Sequence, residues 1–111
     1  MLPENITAIV ARNEYWTGEA ASEPYEAGWA REAVFFLRAL KQPTGRAPKA
    51  WVEISPDGMH WVREGTEFEM PSAKDQIAVA RLTTFGNWLR IATRFDAGAD
   101  CTVLITLHLK A

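Results

Sequence analysis

The clearest structural signal in this chain is Ala50-Trp51-Val52-Glu53-Ile54-Ser55-Pro56-Asp57-Gly58-Met59-His60-Trp61-Val62. Two runs rich in β-branched and aromatic residues, which favour strands, flank Ser-Pro-Asp-Gly. Pro56 presets φ for the first corner of a type I turn, and Asp57 is accepted at the second. Gly58 suits the left-handed position that closes a bulged hairpin. The stretch therefore predicts a β-hairpin, with the other strands added around it.

Length and composition indicate a single domain over residues 1–111. The chain is 48% hydrophobic and 23% charged, which is in the globular range and argues against disorder. A net charge of −2 argues against nucleic acid as a partner. The first five residues lack a signal-peptide pattern and no apolar run is long enough to span a bilayer, so no membrane partner is expected. The expected location is the cytoplasm, or a particle assembled there.

The first half of the chain holds one clear strand and two segments that are harder to interpret. Ile6–Arg12 predicts a short strand, and 13–28 predicts a long irregular connection with one short strand at Tyr15–Thr17. Ala30–Lys41 fits a helix by the spacing of its apolar residues, and it also fits a central strand buried on both faces. We favour the strand because the neighbouring segments are β-like.

The second half alternates more regularly. Gly65–Pro71 and Gln76–Thr83 predict strands separated by a turn at Ser72–Asp75. Trp88–Phe95 places Leu89, Ile91, Thr93 and Phe95 on one face, and Cys101–Leu109 points its odd-numbered residues inward. The two strands are predicted to pair as a hairpin through 96–100, with Ile91 facing Ile105. Together these segments predict an all-β chain, an antiparallel β-sandwich or jelly roll of about seven to nine strands.

No constellation of residues typical of an enzyme or a cofactor site stands out, and we expect neither catalysis nor a cofactor. His60 and His108 lack metal-ligand spacing and are expected to make local hydrogen bonds. Cys101, the single cysteine, is predicted to be a small buried side chain. Asp96 and Asp100 flank Gly98 and are better explained by turn chemistry than by calcium.

The aromatic residues and arginines are the candidates for function. Five tryptophans in 111 residues are more than a small sandwich core usually buries, so some should lie at the rim or in an interface. They would form either a recognition surface or caps on the open ends of the sandwich. Arg81, Arg90 and Arg94 could form a basic stripe with Trp88, and such a stripe could stack single-stranded nucleic acid. We favour either a solvated outer face or a salt-bridged contact with the glutamate-rich first 32 residues of the same or another subunit. The candidate interface or ligand-binding residues are Tyr15, Trp16, Trp51, Trp61, Trp88, Arg90 and Arg94.

One succession of motifs resembles small β-sandwich proteins of phage and prophage structural gene clusters. It runs from the hydrophobic 31–37 through Thr44-Gly45-Arg46-Ala47-Pro48 to the hairpin, and then to Trp88-Leu89-Arg90-Ile91 and the last strand. The resemblance covers about residues 30–109. It implies a non-enzymatic virion or assembly component, often oligomeric, and it assigns no individual residue.

Two functions follow as expectations. The first is a self-associating structural or accessory subunit of a phage-like particle, whose partners are copies of itself or other particle subunits. The second is a carbohydrate-binding module that stacks a glycan on exposed tryptophans. Which partner or ligand it is, and how many subunits assemble, is left open by the residues.

Overall fold

The computed structural model describes residues 5–83 and 85–111, and the regular secondary structure in these residues is entirely β. Residues 1–4, most of the segment without a signal-peptide pattern, lie outside the described residues. There are nine strands in this part of the chain: β1 (Asn5–Thr17), β2 (Glu19–Ala21), β3 (Tyr25–Glu26), β4 (Glu32–Ala39), β5 (Lys49–Ser55), β6 (Val62–Glu69), β7 (Ile77–Thr83), β8 (Trp88–Arg94) and β9 (Asp100–Lys110). The strands form two antiparallel sheets, so the predicted β-sandwich is confirmed.

The two sheets share no strand. Sheet A has the order β1-β9-β4-β7, and sheet B has the order β2-β8-β5-β6, with β3 also paired to β8. All pairings between these strands are antiparallel. Along the described part of the chain no helix is long and apolar enough to cross a membrane.

The core lies between the inner faces of the two sheets and follows the period of two that strands impose. On β4 the inward residues Ala33, Phe35, Leu37 and Ala39 are at most 1% exposed. On β9 the inward residues are those predicted: Cys101, Val103, Ile105, Leu107 and Leu109. Val52, Leu89 and Ile91 of sheet B pack against them.

The hairpin at 50–62 is confirmed, and side chains build its turn. Ser55 Oγ accepts hydrogen bonds from the amides of Asp57 and Gly58, and Asp57 Oδ1 accepts from the amides of Met59 and His60. Gly58 has a φ of 80°, the left-handed conformation predicted for it. Strand β6 begins only at Val62, which pairs with Ile54, so the loop has more residues than a type I turn with one bulge.

The segment 13–28 is not the irregular connection predicted. Strand β1 runs to Thr17, and β2 and β3 follow almost at once. The register of β1 against β9 shifts between Ile9 and Ala11 and again between Ala11 and Glu14, and Asn13 has a φ of 49°. These bulges break the alternation of apolar and polar residues, which is why the sequence resembles a loop there.

The predicted hairpin of Trp88–Phe95 with Cys101–Leu109 is wrong, although the inward faces of both segments are right. Strand β8 pairs with β5, β2 and β3 in sheet B, whereas β9 pairs with β1 and β4 in sheet A. Residues 96–99 carry the chain from one sheet to the other, and Ile91 and Ile105 both lie in the core as members of opposite sheets.

The ambiguous segment Ala30–Lys41 is a strand, as favoured, and it lies between β9 and β7. It is buried on one face only, because Phe36 on the other face is 37% exposed. The segments Gly65–Pro71 and Gln76–Thr83 contribute to β6 and β7, and the turn before β7 includes Asp75 at a φ of 67°.

Candidate functional site

Five of the seven candidate residues belong to the outer face of sheet B or to its hairpin loop: Trp51, Trp61, Trp88, Arg90 and Arg94. Strand register explains the gathering. Glu53 of β5 lies opposite Arg63 of β6 on one side and Arg90 of β8 on the other. Trp51 precedes Glu53 by two residues and therefore shares its face. The prediction that Trp51 and Trp61 lie on one face of the hairpin, beside Glu53 and Arg63, is consistent with these contacts.

Each of two indoles is stacked against a guanidinium. The guanidinium carbon of Arg63 is 3.9 Å from the centroid of the Trp51 ring, and that of Arg90 is 4.2 Å from the Trp61 ring. Glu53 joins the two pairs, because Oε2 accepts from the Trp51 indole at 2.9 Å and Oε1 binds Arg90 NH2 at 2.6 Å. We call Trp51, Glu53, Trp61, Arg63 and Arg90 the Trp–Arg array. It holds its aromatic rings in fixed orientations.

A groove of about 450 Å³ lies beside the array. Ala21 and Ala92, paired across β2 and β8, are among its lining residues and their short side chains leave the space open. Trp51 and Arg63 line it as well. At its β2 side, Arg94 and Glu19 approach to 4.0 Å, and both side chains are exposed. This ion pair is a contact between an arginine of the predicted stripe and the acidic N-terminal region.

Trp88 lies at the other end of the face, against the hairpin loop. It pairs with Ser55 of β5 and is half-buried. A Cβ atom placed on Gly58 would come within 3.2 Å of Trp88 Cε2. The glycine therefore serves both the turn conformation and the close approach of the indole.

Two predicted site residues lie elsewhere. Tyr15 and Trp16 are on β1 of sheet A, with Tyr15 64% exposed and Trp16 only 4% exposed. Trp16 packs in the core and its indole donates to Glu14 Oε1, so it does not contribute to a surface. The Tyr15 hydroxyl donates to Asp100 Oδ2 at 2.9 Å, and this hydrogen bond to a carboxylate raises the pKa of Tyr15.

The predicted basic stripe is not continuous. Arg90 and Arg94 are on β8 of sheet B, whereas Arg81 is on β7 of sheet A, opposite Val34. The three arginines therefore cannot bind one strand of nucleic acid together.

Histidine and cysteine have structural surroundings. His60 Nδ1 lies 2.6 Å from Asp57 Oδ2, and His108 lies between the hydroxyls of Thr7 and Thr106 at 3.2 Å each, so the local hydrogen bonds predicted for both are confirmed. Burial raises the pKa of Cys101 to about 11, which leaves it a thiol at neutral pH. Within 5–83 and 85–111, no three His, Cys, Asp or Glu residues are grouped so as to hold a metal ion.

The hydrogen bonds of the loop affect Asp57 most strongly. The amides of His60 and Met59, together with the His60 ring, stabilise the ionised carboxylate and hold the pKa of Asp57 well below its usual range. The carboxylate fixes the loop that carries Trp61. Its role is structural at this surface.

Sequence reasoning missed a second surface, on the outer face of sheet A. Ile9, Phe36 and Ile77 are 44%, 37% and 53% exposed there. They come from three strands of one sheet that are far apart in the sequence. Val34 and Phe36 alternate with the buried residues of β4. From the sequence alone they predict a second buried face, and the structure leaves that face open.

Comparison with known proteins supports the fold and goes no further. No protein-family model matches the chain, and comparison with curated proteins finds no relative. A chain in the structure of infectious bursal disease virus, Gx strain, matches 99% of this chain at a TM-score of 0.50 and 11% identity. This protein spans 32% of the length of that virus chain.

A second solved structure is dimeric latent PorU from Porphyromonas gingivalis. It matches 97% of this chain at a TM-score of 0.45 and 11% identity, and this protein spans 12% of its length.

Proposed function

We infer that this protein is a non-enzymatic structural or accessory subunit of a phage-like particle that associates with copies of itself through the outer face of sheet B. The Trp–Arg array carries this proposal. Tryptophan and arginine are the residues most enriched among those that dominate binding energy at protein interfaces. Here they are held rigid by stacking and by Glu53 before any partner arrives. Fixed side chains lose less entropy on binding.

The strand pairing supports a jelly roll, an architecture found in viral capsid and lectin domains. Counting β2 and β3 as one interrupted strand leaves eight. A jelly roll results when a long antiparallel ribbon of eight strands wraps into two sheets. In that ribbon the first strand pairs with the eighth, the second with the seventh, the third with the sixth and the fourth with the fifth. The pairs β1–β9, β2/β3–β8, β4–β7 and β5–β6 follow that scheme. The sheet orders are those of the wrapped ribbon.

The structural neighbour from a virus agrees with this proposal. The match at a TM-score of 0.50 covers nearly the whole of this chain. It concerns the backbone arrangement, so the assembly role itself rests on the array. Assembly in the cytoplasm, or presence in a particle formed there, belongs to the same proposal.

Glycan binding is the second candidate, and the groove beside Trp51 is the observation in its favour. A volume of about 450 Å³ is in the range of small-ligand sites. A sugar ring would have to stack on an indole, yet Arg63 and Arg90 already cover one face of Trp51 and Trp61. The covered rings favour a protein partner over a neutral sugar.

Light scattering on Trp61→Ala tests the first candidate. The variant should lose most of the association of the parent protein, while Met59→Ala, a change at a 74% exposed residue of the same loop, should retain it. Equal association of both variants would rule out the array as the contact.

A glycan-binding screen on the unmodified protein tests the second candidate. A parent protein that is monomeric at high concentration and binds one glycan would exclude the assembly role.

A further inference from the structure

The outer face of sheet A carries a row of side chains across all four strands, and those from β1, β4 and β7 are apolar. Backbone pairing places Ile9 of β1 beside Thr106 of β9, Thr106 beside Phe36 of β4, and Phe36 beside Val79 of β7. Ile9 and Phe36 are 44% and 37% exposed, and Val79 is half-buried. Large apolar side chains in one contiguous patch on a sheet face are typical of an interaction site.

The two neighbouring rows mix apolar side chains with charged ones, Arg38 in the first and Arg81 in the second. On one side, Leu104, Arg38 and Ile77 form the next row, with Ile77 53% exposed. On the other side, His108 pairs with Val34, and the His108 ring meets Phe36 edge-on with ring centroids 5.0 Å apart.

Opposite charges lie beyond the patch. Glu32 on β4 and Lys110 on β9 are paired across the sheet, and both are exposed. Glu32 is four residues from Phe36 and Lys110 is four residues from Thr106, so the pair lies two rows away on the same face. The face therefore has an apolar centre and a charged rim, which is the arrangement of a protein interface.

We propose that the outer face of sheet A is a two-fold symmetric interface that binds a second copy of this chain. It rests on the proposed self-association, but it uses the opposite side of the sandwich from the Trp–Arg array. A subunit with two separate interfaces can build assemblies larger than a dimer.

Charge and shape complementarity argue for a second copy as the partner. A two-fold axis parallel to the strands and between β9 and β4 places β9 over the partner's strand β4, and β1 over the partner's strand β7. Each Lys110 then lies over the second copy's equivalent of Glu32, and this contact occurs twice. In the centre, Ile9 lies over the equivalent of Val79, and Thr106 over the equivalent of Phe36. Sheets packed with nearly aligned strands, about 10 Å apart, have this geometry.

The area of the face is sufficient. Four strands about 4.8 Å apart, each about 26 Å long over eight residues, cover roughly 500 Å² per copy. Two copies bury about 1,000 Å², which is at the lower limit for a specific protein contact. The dimer should therefore be weak and should depend on concentration.

Sedimentation equilibrium on the full chain, over a range of concentrations, tests the inference. Phe36→Glu should weaken dimerisation by roughly tenfold or more, because it buries an unpaired charge at the centre of the contact. Met59→Glu is the matched control, since Met59 is 74% exposed and is not part of either proposed contact. It should leave the dimer unchanged. If Phe36→Glu does not fold, Ile77→Glu at the side of the patch replaces it.

A charge exchange identifies the partner as a second copy. Glu32→Lys alone should weaken the dimer, because it places like charges over each other, and the double variant Glu32→Lys with Lys110→Glu should restore it. Failure of the double variant to recover would overturn the two-fold arrangement.

The outcomes separate this inference from the proposed function. Association that survives Phe36→Glu and is lost in Trp61→Ala would overturn the inference and support the array. Association lost in Phe36→Glu and retained in Trp61→Ala would support the inference and overturn the array. A parent protein that stays monomeric throughout would overturn both.

Discussion

On the outer face of sheet B, Trp51 and Trp61 are each stacked with an arginine, whereas on the outer face of sheet A the side chains of Ile9 and Phe36 stay exposed without such cover. The first face is ordered by contacts within the chain itself. The second has large apolar groups that gain most from contact with something else. Exposure alone therefore does not describe a surface, because contacts within the chain hold the side chains of one face in place and leave those of the other free.

Substitutions at two adjacent phenylalanines on β4 should show the largest difference in the free energy of unfolding. Phe35 is 1% exposed and Phe36 is 37% exposed. Phe35→Ala should lower the free energy of unfolding by about 3–5 kcal/mol, because it leaves a cavity in the core. Phe36→Ala, measured in the monomer at low concentration, should cost about 1 kcal/mol or less. Chemical denaturation checks both, and similar losses would mean that the outer face of sheet A is not open.

Gly58 tests how firmly the loop holds the sheet B face. Gly58→Val should cost about 1–3 kcal/mol, because a β-branched residue is strained at a φ of 80° and its Cβ meets the Trp88 ring. Gly98→Val is the control, because Gly98 has a φ of 84° and open space around it. It should show the backbone strain without the contact. An equal loss in thermal denaturation would mean that Trp88 moves aside freely.

Arg90 and Arg94 lie on the same strand and differ in how closely a glutamate carboxylate binds each of them. Arg90 NH2 binds Glu53 at 2.6 Å with side chains 27% and 15% exposed, whereas Arg94 and Glu19 are 4.0 Å apart and 75% and 81% exposed. Arg90→Ala should cost about 1–2 kcal/mol, because it leaves Glu53 unpaired and uncovers Trp61. Arg94→Ala should be near neutral. Urea denaturation followed by circular dichroism distinguishes them, and a neutral Arg90→Ala would show that the array is not locked.

Asp57 gives the smallest effect, a dependence of stability on pH. Its carboxyl has a lower pKa in the folded protein than the usual 3.8, because amides of the loop stabilise the ionised form. The stabilisation is therefore complete above pH 3.8 and is lost as pH falls through the folded value. The melting temperatures of the parent protein and Asp57→Asn should differ at neutral pH and converge in acid. Asp96→Asn, at an exposed loop carboxyl, is the control, and a gap that persists in acid would contradict this role.

The sequence predicts what is local and misses what depends on distant pairing. Alternation determines which residues of β8 and β9 point inward, and it does so correctly, but it carries no information on which sheet a strand joins. The hairpin brings Trp51 and Trp61 to one face because 50–62 is a single local unit. Arg90 reaches that face only because β8 pairs with β5. This pairing places Arg90 opposite Glu53, which is 37 residues earlier in the sequence.

The sheet A face shows the same limit in another form. Ile9, Phe36 and Val79 come from β1, β4 and β7, so no window of sequence contains the row they form. In β1 the bulges near Asn13 conceal the strand itself, because they reverse the alternation twice. Core positions follow from period alone, whereas both candidate surfaces follow from strand order.

The interruptions in the outermost strands have a consequence for how copies of this protein can join. In the described residues β1 is bulged, β2 and β3 are separated at Ser22, and the pairing of β6 with β5 shifts register beside Gly65, which has a φ of 121°. A regular edge would expose unpaired amides and carbonyls to an incoming strand, and open-ended fibrils grow in that way. Three of the four edges in the described residues are therefore poor templates, whereas β7 pairs with β4 without a shift in register and remains a regular edge. Fibril growth by backbone pairing is disfavoured at the three interrupted edges, and β7 is the edge at which an added strand would fit.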